Sequence, residues 1–395
     1  MRVLYPKEHL VWSGILMFMM HLGSRRQFRH ERDSPVFAEN LRRLCGHAPL
    51  GTVADPDTLH YYARRMKHET MSNLLAELFR RLVRSRALDG FRLLGRLPLA
   101  IDGSQMHTFK EEPWPGCPHR RLADGSTLYF SFLLDAKFVT PSGPTLTLAT
   151  EWLTNEGKED FDKQDCEAKA FARLAGRLKT LFPRMPFCIL LDSLSANQTA
   201  IGICETHNWD YIITFKSGSM PARYKEAEAL AELQTRNRHT QKLNRLRQSF
   251  RWADNVPVGA SRSTVIWCED TPEIGEPTTF CWLTSLTARP GNVHDITNKG
   301  GRLRWKIENE GYNVQKNHGY AMEHLFSGHP NGSRVFYVLL LLAHFFTQLI
   351  QHSNLFFPEA FGSAKNFARR LVESFRHVLL PEDLILPGQI RFRPP

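Results

Sequence analysis

Two aspartates of this 395-residue chain each follow a short apolar segment. Asp102 comes after Leu-Pro-Leu-Ala-Ile, and Asp192 comes after Cys-Ile-Leu-Leu. Short apolar runs that end in turn residues are typical of buried strands, and an open sheet binds ligands at its strand ends. If the two strands are neighbours, both carboxylates open onto one edge, where their repulsion requires a proton or a cation. Carboxylate oxygens suit Mg²⁺ or Mn²⁺, although each aspartate could instead cap the turn that follows it.

A third acidic candidate lies in segment 302–310, which reads Arg-Leu-Arg-Trp-Lys-Ile-Glu-Asn-Glu. Arg304 and Glu308 are four residues apart and therefore share one face of a helix. A surface salt bridge is the simpler interpretation of this pair, but apolar neighbours such as Trp305 indicate that the helix packs on a core. Glu310 lies about 200° around an ideal helix from Glu308, so only one of the two can face the aspartates. The spacing from Arg304 favours Glu308.

The segments around these residues predict a mixed α/β core. The expected order is strand, strand, strand, helix, strand, helix, strand, at residues 97–101, 129–139, 145–153, 167–181, 187–191, 199–207 and 211–215. Residues 217–290 interrupt this order with a polar helix, a basic run and two further strand candidates, at 263–268 and 279–285. Helical patterns dominate residues 1–95 and return at about residue 297.

The charge of the chain is unbalanced toward lysine and arginine. The formal net charge is +11, and residues 1–95 carry 16 basic side chains against 9 acidic ones. A second basic run, from Arg236 to Arg251, contains no acid. Such runs suit a polyanion, most commonly nucleic acid, although an anionic membrane surface or plain solvated faces are alternatives. The candidate phosphate contacts in these two regions are Arg25, Arg26, Arg236, Arg238, Lys242 and Arg245.

Cysteine usage and hydropathy bear on the compartment. The seven cysteines are odd in number and include no Cys-x-x-Cys, which favours a reducing cytoplasm over a disulfide framework. The longest apolar run, Val335–Phe346, is too short to cross a bilayer unaided, so it predicts a buried helix. We therefore expect a cytoplasmic, nucleoid-associated protein with no membrane partner.

Three motifs together resemble bacterial insertion-sequence transposases of the DDE type. They are Asp-Gly-Ser at residue 102, Leu-Leu-Asp-Ser around residue 192, and Arg-Trp-Lys-Ile-Glu-Asn-Glu-Gly-Tyr-Asn from residue 304. The resemblance is to the branch whose ribonuclease H-like core is split by a β-rich insertion before the catalytic glutamate. Asp192 follows Asp102 by 90 residues and Glu308 follows Asp192 by 116, so the longer interval holds the insertion. The resemblance covers nearly the whole chain and is weakest at 217–265 and after 355.

The resemblance implies a metal-dependent enzyme. Asp102, Asp192 and Glu308 would hold two Mg²⁺ or Mn²⁺ ions for cleavage of transposon ends and strand transfer into target DNA. Arg304 would hold phosphate near the glutamate, and a homodimer would act on double-stranded DNA. The implied domains are a helical DNA-binding domain at 1–95, a catalytic core at 96–216 and 291–350, a β-rich insertion at 217–290 and a helical tail at 351–395.

The chain departs from the signature of this branch, which is Tyr, two residues, Arg, three residues, Glu, six residues, Lys. Gly301 stands at the tyrosine position and Gln315 at the lysine position, with Lys316 one residue later. One residue rotates a side chain by about 100° on an ideal helix, so Lys316 needs a local bulge to reach the same phosphate. Related enzymes stack an extruded base on an aromatic side chain; Phe280 and Trp282 are candidates, with two core aromatics as the alternative.

Three other functions remain open from the sequence. A metal-dependent nuclease that cuts without joining would share the fold and the carboxylates. A catalytically inactive DNA-binding derivative of a transposase would explain the altered signature. A basic protein with no role in nucleic-acid binding would show no salt-dependent binding to DNA.

Overall fold

The computed structural model describes residues 5–46, 51–153, 163–259, 261–355, 362–382 and 389–393. The N-terminal region is helical, as its apolar spacing predicts. Its helices are α1 (Lys7–Met19), α2 (Arg25–Glu31), α3 (Pro35–Cys45), α4 (Pro56–Ala63) and α5 (His68–Arg84). Side-chain oxygens of Ser24, Ser34 and Asp55 cap α2, α3 and α4, which fixes where these helices begin.

A mixed sheet of ten strands forms the centre of the fold, with helices packed against it. The strands of its first half are β1 (Leu97–Phe109), β2 (His119–Arg121), β3 (Thr127–Phe138), β4 (Leu146–Trp152), β5 (Phe187–Leu191) and β6 (Asp210–Thr214). Strands β4, β3 and β1 pair antiparallel, whereas β1, β5 and β6 pair parallel. Helix α6 (Lys163–Leu181) leads from β4 to β5 and α7 (Gln198–Thr206) leads from β5 to β6, so the predicted order of elements is confirmed, with β2 as an additional strand.

Strand β1 is longer than the sequence indicates. We expected a strand that ends at Asp102, but β1 continues to Phe109 and pairs with β3 along this length. Gly103 is not the start of a turn: a Cβ at this position would lie 2.5 Å from Cε1 of Phe132. The glycine therefore lets the Phe132 ring lie against β1, and Asp102 stands within the strand.

The predicted β-rich segment continues the same sheet. It contains α8 (Pro221–Leu233), β7 (Arg238–Leu243), β8 (Leu246–Val258), β9 (Ser261–Pro272) and β10 (Thr278–Thr284). Strand β10 pairs antiparallel with β6, and β9, β8 and β7 follow in order toward the far edge. The basic run is the hairpin β7–β8, which was not predicted as strands because β7 has no buried face.

The chain after β10 is mainly helical and carries the predicted glutamate. It comprises α9 (Val293–Asn298), a 3-10 turn (Gly301–Trp305), a π-helical segment (Ile307–Tyr312), α10 (Asn313–Asn317), α11 (Pro330–His352) and α12 (Ala364–His377). Among the described residues, α11 is the one helix long and apolar enough to cross a membrane, and most of it is buried in the fold. It packs against α1 and α5, so it is a core helix, as its sequence predicts.

Candidate active site

Asp102 and Asp192 come from two neighbouring strands of the sheet. Parallel pairing of β1 with β5 runs from Leu97 opposite Phe187 to Ala100 opposite Leu190, and each aspartate comes two residues after this last pair. Both aspartates line one small cavity of about 60 Å³, together with Glu167 of α6. The strand order thus brings together two carboxylates that are far apart in the sequence.

Asp192 also caps the turn that follows it. Its Oδ1 accepts hydrogen bonds from the backbone N–H groups of Leu194 at 3.1 Å and Ser195 at 3.2 Å. The capping role that the sequence allowed for this aspartate is therefore present, but it uses only one carboxylate oxygen. The cap fixes the direction of the side chain, which is what a metal ligand requires.

Arg304 joins Glu308 to Asp102. Its Nη1 donates to Oδ2 of Asp102 at 3.2 Å and to Oε1 of Glu308 at 3.0 Å. The guanidinium is buried, with 6% of the residue exposed, and lies 4.5 Å from the ring centroid of Trp305. Trp305 itself is 55% exposed and flanks the site on its solvent side. The spacing of four residues between Arg304 and Glu308 therefore forms the expected contact, although Arg304 binds carboxylates here and is largely shielded from solvent.

The acidic side chains of the site outnumber its basic side chains. The pKa of Asp102 is raised to about 7: burial is the largest cause, Arg304 and the backbone N–H of Gly103 oppose it, and the adjacent Glu308 carboxylate adds to it. One guanidinium is thus shared by two carboxylates, and Asp192 adds a third acidic group nearby. Oxygen ligands of this kind fit Mg²⁺ or Mn²⁺. Within the described residues, however, no three His, Cys, Asp or Glu side chains are close enough together to hold one ion.

Glu310 occupies a different environment from Glu308. It forms a salt bridge with Lys306 and accepts a hydrogen bond from Oγ1 of Thr145 at 3.4 Å. Lys306 lies four residues before Glu310, on the same face of the helical segment. The structure therefore separates the two glutamates and places Glu308, through Arg304, beside Asp102.

The helix after Glu308 contains the irregularity that Lys316 requires. Residues Ile307–Tyr312 are π-helical, and a π turn adds one residue to the regular helical repeat. Lys316, eight residues after Glu308, can therefore keep the angular position that seven residues would give in an α-helix. Its Nζ pairs with Glu323 at 2.9 Å, so phosphate binding by Lys316 stays a prediction.

A buried ion pair lies on β3, next to the strand that carries Asp102. Lys137 and Asp135 of β3 are both fully buried, 2.7 Å apart, and Asp135 is the direct partner of Asp102 in the β1–β3 ladder. Lys137 also donates to Oε1 of Gln315 at 3.3 Å, and the hydroxyl of Tyr312 donates to the Asp102 carbonyl at 2.7 Å. These bonds tie the helix of Glu308 to the strand of Asp102. They were not predicted from the sequence, where the one signal is a pair of opposite charges on one face of an apolar strand.

The ring of Trp282 occupies the space beside Gly301. A Cβ on Gly301 would lie 2.5 Å from Nε1 of Trp282, whose ring is 3% exposed. Phe280 stacks beside Trp282 with 5.8 Å between ring centroids, and the guanidinium of Arg302 lies 4.2 Å from the Phe280 centroid. The two aromatics share one face of β10, as predicted. Trp282 packs as a core aromatic, and Arg302 already covers Phe280.

Gly301→Tyr, which restores the signature residue, should destabilise the protein by about 1–3 kcal/mol because the new side chain collides with Trp282. In the double variant Gly301→Tyr/Trp282→Ala, the loss should be smaller than the sum of the losses in the two single variants, because the collision is absent. Urea unfolding measures the free energies of all three variants. A Gly301→Tyr protein as stable as the wild type would contradict the packing described here.

The predicted basic residues lie in two places and differ in their pairing. Arg236, Arg238 and Arg245 are exposed on or next to the β7–β8 hairpin, and exposed Lys242 pairs with Glu273 at 3.5 Å. In the N-terminal region, Arg25 pairs with Asp57 at 2.6 Å, and Arg26 is exposed. The hairpin is therefore the stronger cationic surface of the two.

Comparison of the chain with protein-family models and with curated proteins finds no match to either. Its function must therefore be inferred from the geometry of the carboxylates and from the motifs that surround them.

Proposed function

We propose that the chain is a DDE transposase, which cleaves transposon ends and joins them to target DNA by metal-dependent phosphoryl transfer. The observation that carries this proposal is the position of Asp102 beside both Asp192 and the Arg304–Glu308 pair. Three elements that are far apart in the sequence thus supply carboxylates to one region. The mixed sheet, antiparallel on one side of β1 and parallel on the other, is compatible with the ribonuclease H-like core that the motifs imply.

Each residue of the site has a defined task in this proposal. Two bound Mg²⁺ or Mn²⁺ ions would supply an activated water or 3′-hydroxyl and stabilise the leaving oxygen. Asp102, Asp192 and Glu308 would hold these ions through carboxylate oxygens. Arg304 orients Asp102 and Glu308, and its charge also favours a phosphate close to them. Trp305 lies at the rim, with its ring against the Arg304 guanidinium.

The partner in this proposal is double-stranded DNA, both transposon end and target, bound by a homodimer in the cytoplasm. Exposed cations of the β7–β8 hairpin supply phosphate contacts. The N-terminal helices contribute less than their sequence suggests, because Arg25 and Arg29 are already paired with Asp55 and Asp57.

Substitution of Arg238, Arg245 and Arg247 by glutamine should weaken DNA binding and its salt dependence. The slope of log affinity against log salt should fall by about 0.9 for each phosphate that the variant no longer binds. Fluorescence anisotropy with labelled duplex DNA over a salt series measures this slope. Arg369→Gln is the matched control, because Arg369 is exposed but paired with Glu373 at 2.7 Å. An unchanged slope in the triple variant would exclude the hairpin as a DNA surface.

The proposal is tested with DNA that carries the inverted repeats flanking the coding region, a supercoiled target and Mg²⁺. A transposase cleaves the ends and joins a pre-cut 3′ end to the target. Cleavage without joining would instead identify a nuclease. Salt-dependent binding without either reaction would identify an inactive derivative.

A further inference from the structure

The ammonium of Lys137, on β3, is fully buried and obtains its third hydrogen-bond acceptor from the helix after Glu308. A lysine ammonium has three N–H groups, and each needs an acceptor when water is excluded. Two acceptors come from the sheet: a carboxylate oxygen of Asp135 at 2.7 Å and Oγ1 of Thr147 at 2.9 Å. The third acceptor is Oε1 of Gln315, in α10, at 3.3 Å. The hydrogen bonding of Lys137 therefore depends on which residue of α10 faces it.

The π-helical turn decides which residue faces Lys137. Segment Ile307–Tyr312 takes one residue more than an α-helix needs for the same rotation, and we call this arrangement the π register. In the π register, Gln315 holds the angular position that Val314 would hold in an uninterrupted α-helix from Glu308. The side chain of valine has no acceptor atom. The π register therefore supplies the third acceptor, whereas an α-helical register would place an apolar side chain against the ammonium.

The π-helical turn packs directly on the Lys137 side chain. A Cβ on Gly311 would lie 3.0 Å from both Cδ and Cε of Lys137, so a glycine allows this close approach. The ammonium lies 4.6 Å from the ring centroid of Tyr312, whose hydroxyl donates to the Asp102 carbonyl at 2.7 Å. The turn that carries Glu308 is thus held between Lys137 and β1.

The π register also sets the direction of two side chains near the site. Glu308 lies in the π-helical turn and shares the Arg304 guanidinium with Asp102. Gln315 is completely buried, whereas the side chain of Lys316 is 23% exposed. A shift of one residue would move Gln315 into the environment of Lys316 and turn Lys316 by about 100° around the helix.

We propose that Lys137 is a positioning residue of the active site: its bond with Gln315 selects the π register and thereby fixes Glu308 and Lys316 relative to Asp102. The inference rests on the proposed cleavage of DNA, in which Glu308 is a candidate metal ligand. It also gives a role to the glutamine at the lysine position of the signature. Gln315 is the acceptor for a buried lysine of β3, and it is not a lost phosphate ligand.

Amide hydrogen exchange of the metal-free, full-length chain tests this proposal without DNA cleavage. Gln315→Met keeps a side chain of similar size but removes the acceptor. Exchange in segment 305–317 should therefore rise by roughly 10- to 100-fold, the value of one hydrogen bond to a charged group. Gln315→Glu, which keeps an acceptor for Lys137, should exchange nearly as slowly as the wild type. Gln234→Met is the matched control, because Gln234 accepts from the Asp254 N–H at 2.8 Å, outside the segment.

Gln315→Lys distinguishes the two interpretations of this position by the sign of its effect. The variant restores the lysine of the signature but places a second ammonium against Lys137. We expect faster exchange in segment 305–317 and a cleavage rate lower by roughly 100-fold, the cost of a misplaced catalytic group, at unchanged affinity for DNA. If Gln315 were a lost phosphate ligand, the same change would raise both the affinity and the rate.

Wild-type exchange in Gln315→Met would overturn the proposal, as would a Gln315→Lys chain that binds and cleaves DNA better than the wild type. If Gln315→Met exchanges faster in the segment but the wild type cleaves no DNA, Lys137 still fixes the segment and the transposase proposal fails. If the wild type cleaves DNA and Gln315→Met matches it in exchange and in rate, the positioning role fails and the transposase proposal stands.

Discussion

Asp102→Asn and Asp192→Asn should each abolish DNA cleavage while DNA binding stays close to that of the wild type. Either change removes the charge of a candidate metal ligand in the cavity that both aspartates line. A bound ion supplies several kcal/mol of transition-state stabilisation, so the rate should fall by roughly a thousandfold or more. Asparagine keeps an oxygen that can still accept the hydrogen bonds from Leu194 and Ser195, so the turn after β5 should persist.

Single-turnover cleavage with Mg²⁺ and anisotropy with labelled DNA measure the two quantities separately. Asp124→Asn is a suitable control, because Asp124 is an exposed turn residue that accepts hydrogen bonds from the neighbouring Ser126. Retained cleavage in the Asp102 or the Asp192 variant would remove that residue from the active site. Loss of binding together with cleavage would indicate a structural role instead.

Glu308→Gln should eliminate cleavage and strand transfer, whereas Glu310→Gln should keep a substantial part of both. The two residues are a matched pair on one helical segment, with the same side chain and equal side-chain exposure of 41%. They differ in their contacts: Glu308 shares Arg304 with Asp102, and Glu310 pairs with Lys306. Neutralising Glu308 removes a candidate metal ligand, while neutralising Glu310 removes a partly exposed salt bridge of small energetic value.

Cleavage rates and thermal unfolding of both variants give the comparison. Similar melting temperatures with very different rates are the expected result. Equal activity of the two variants, or a larger loss in Glu310→Gln, would mean that Glu308 is not the glutamate of the site.

Local patterns in the sequence were sufficient to predict the strand before Asp192. Phe187–Leu191 is a short apolar run with a polar residue at its C-terminal end, and it forms β5 with the predicted bounds. The contact between Arg304 and Glu308 was also predictable, because an interval of four residues joins neighbours on any helix-like segment. In both cases the prediction depends only on residues that are close together in the sequence.

Features that depend on pairing between distant residues were not predictable. Gly103-Ser104 has the composition of a turn, and only the Phe132 ring across the ladder explains why a glycine stands inside β1. Gly301 stands where the signature has a tyrosine, and the sequence alone gives no reason for this. In the structure, the ring of Trp282 from β10 fills the space beside Gly301. The β7–β8 hairpin was missed because its first strand is polar on both faces and has no hydrophobic period.

The most direct test of the proposed metal site is anomalous diffraction from crystals of the chain soaked in Mn²⁺. We expect an anomalous peak within coordination distance, about 2.1 Å, of carboxylate oxygens of Asp102 and Asp192, with Glu308 turned toward the same ions. The peak should disappear in Asp102→Asn crystals treated in the same way. Absence of a peak at saturating Mn²⁺, with Arg304 still bridging Asp102 and Glu308, would contradict the metal-dependent mechanism.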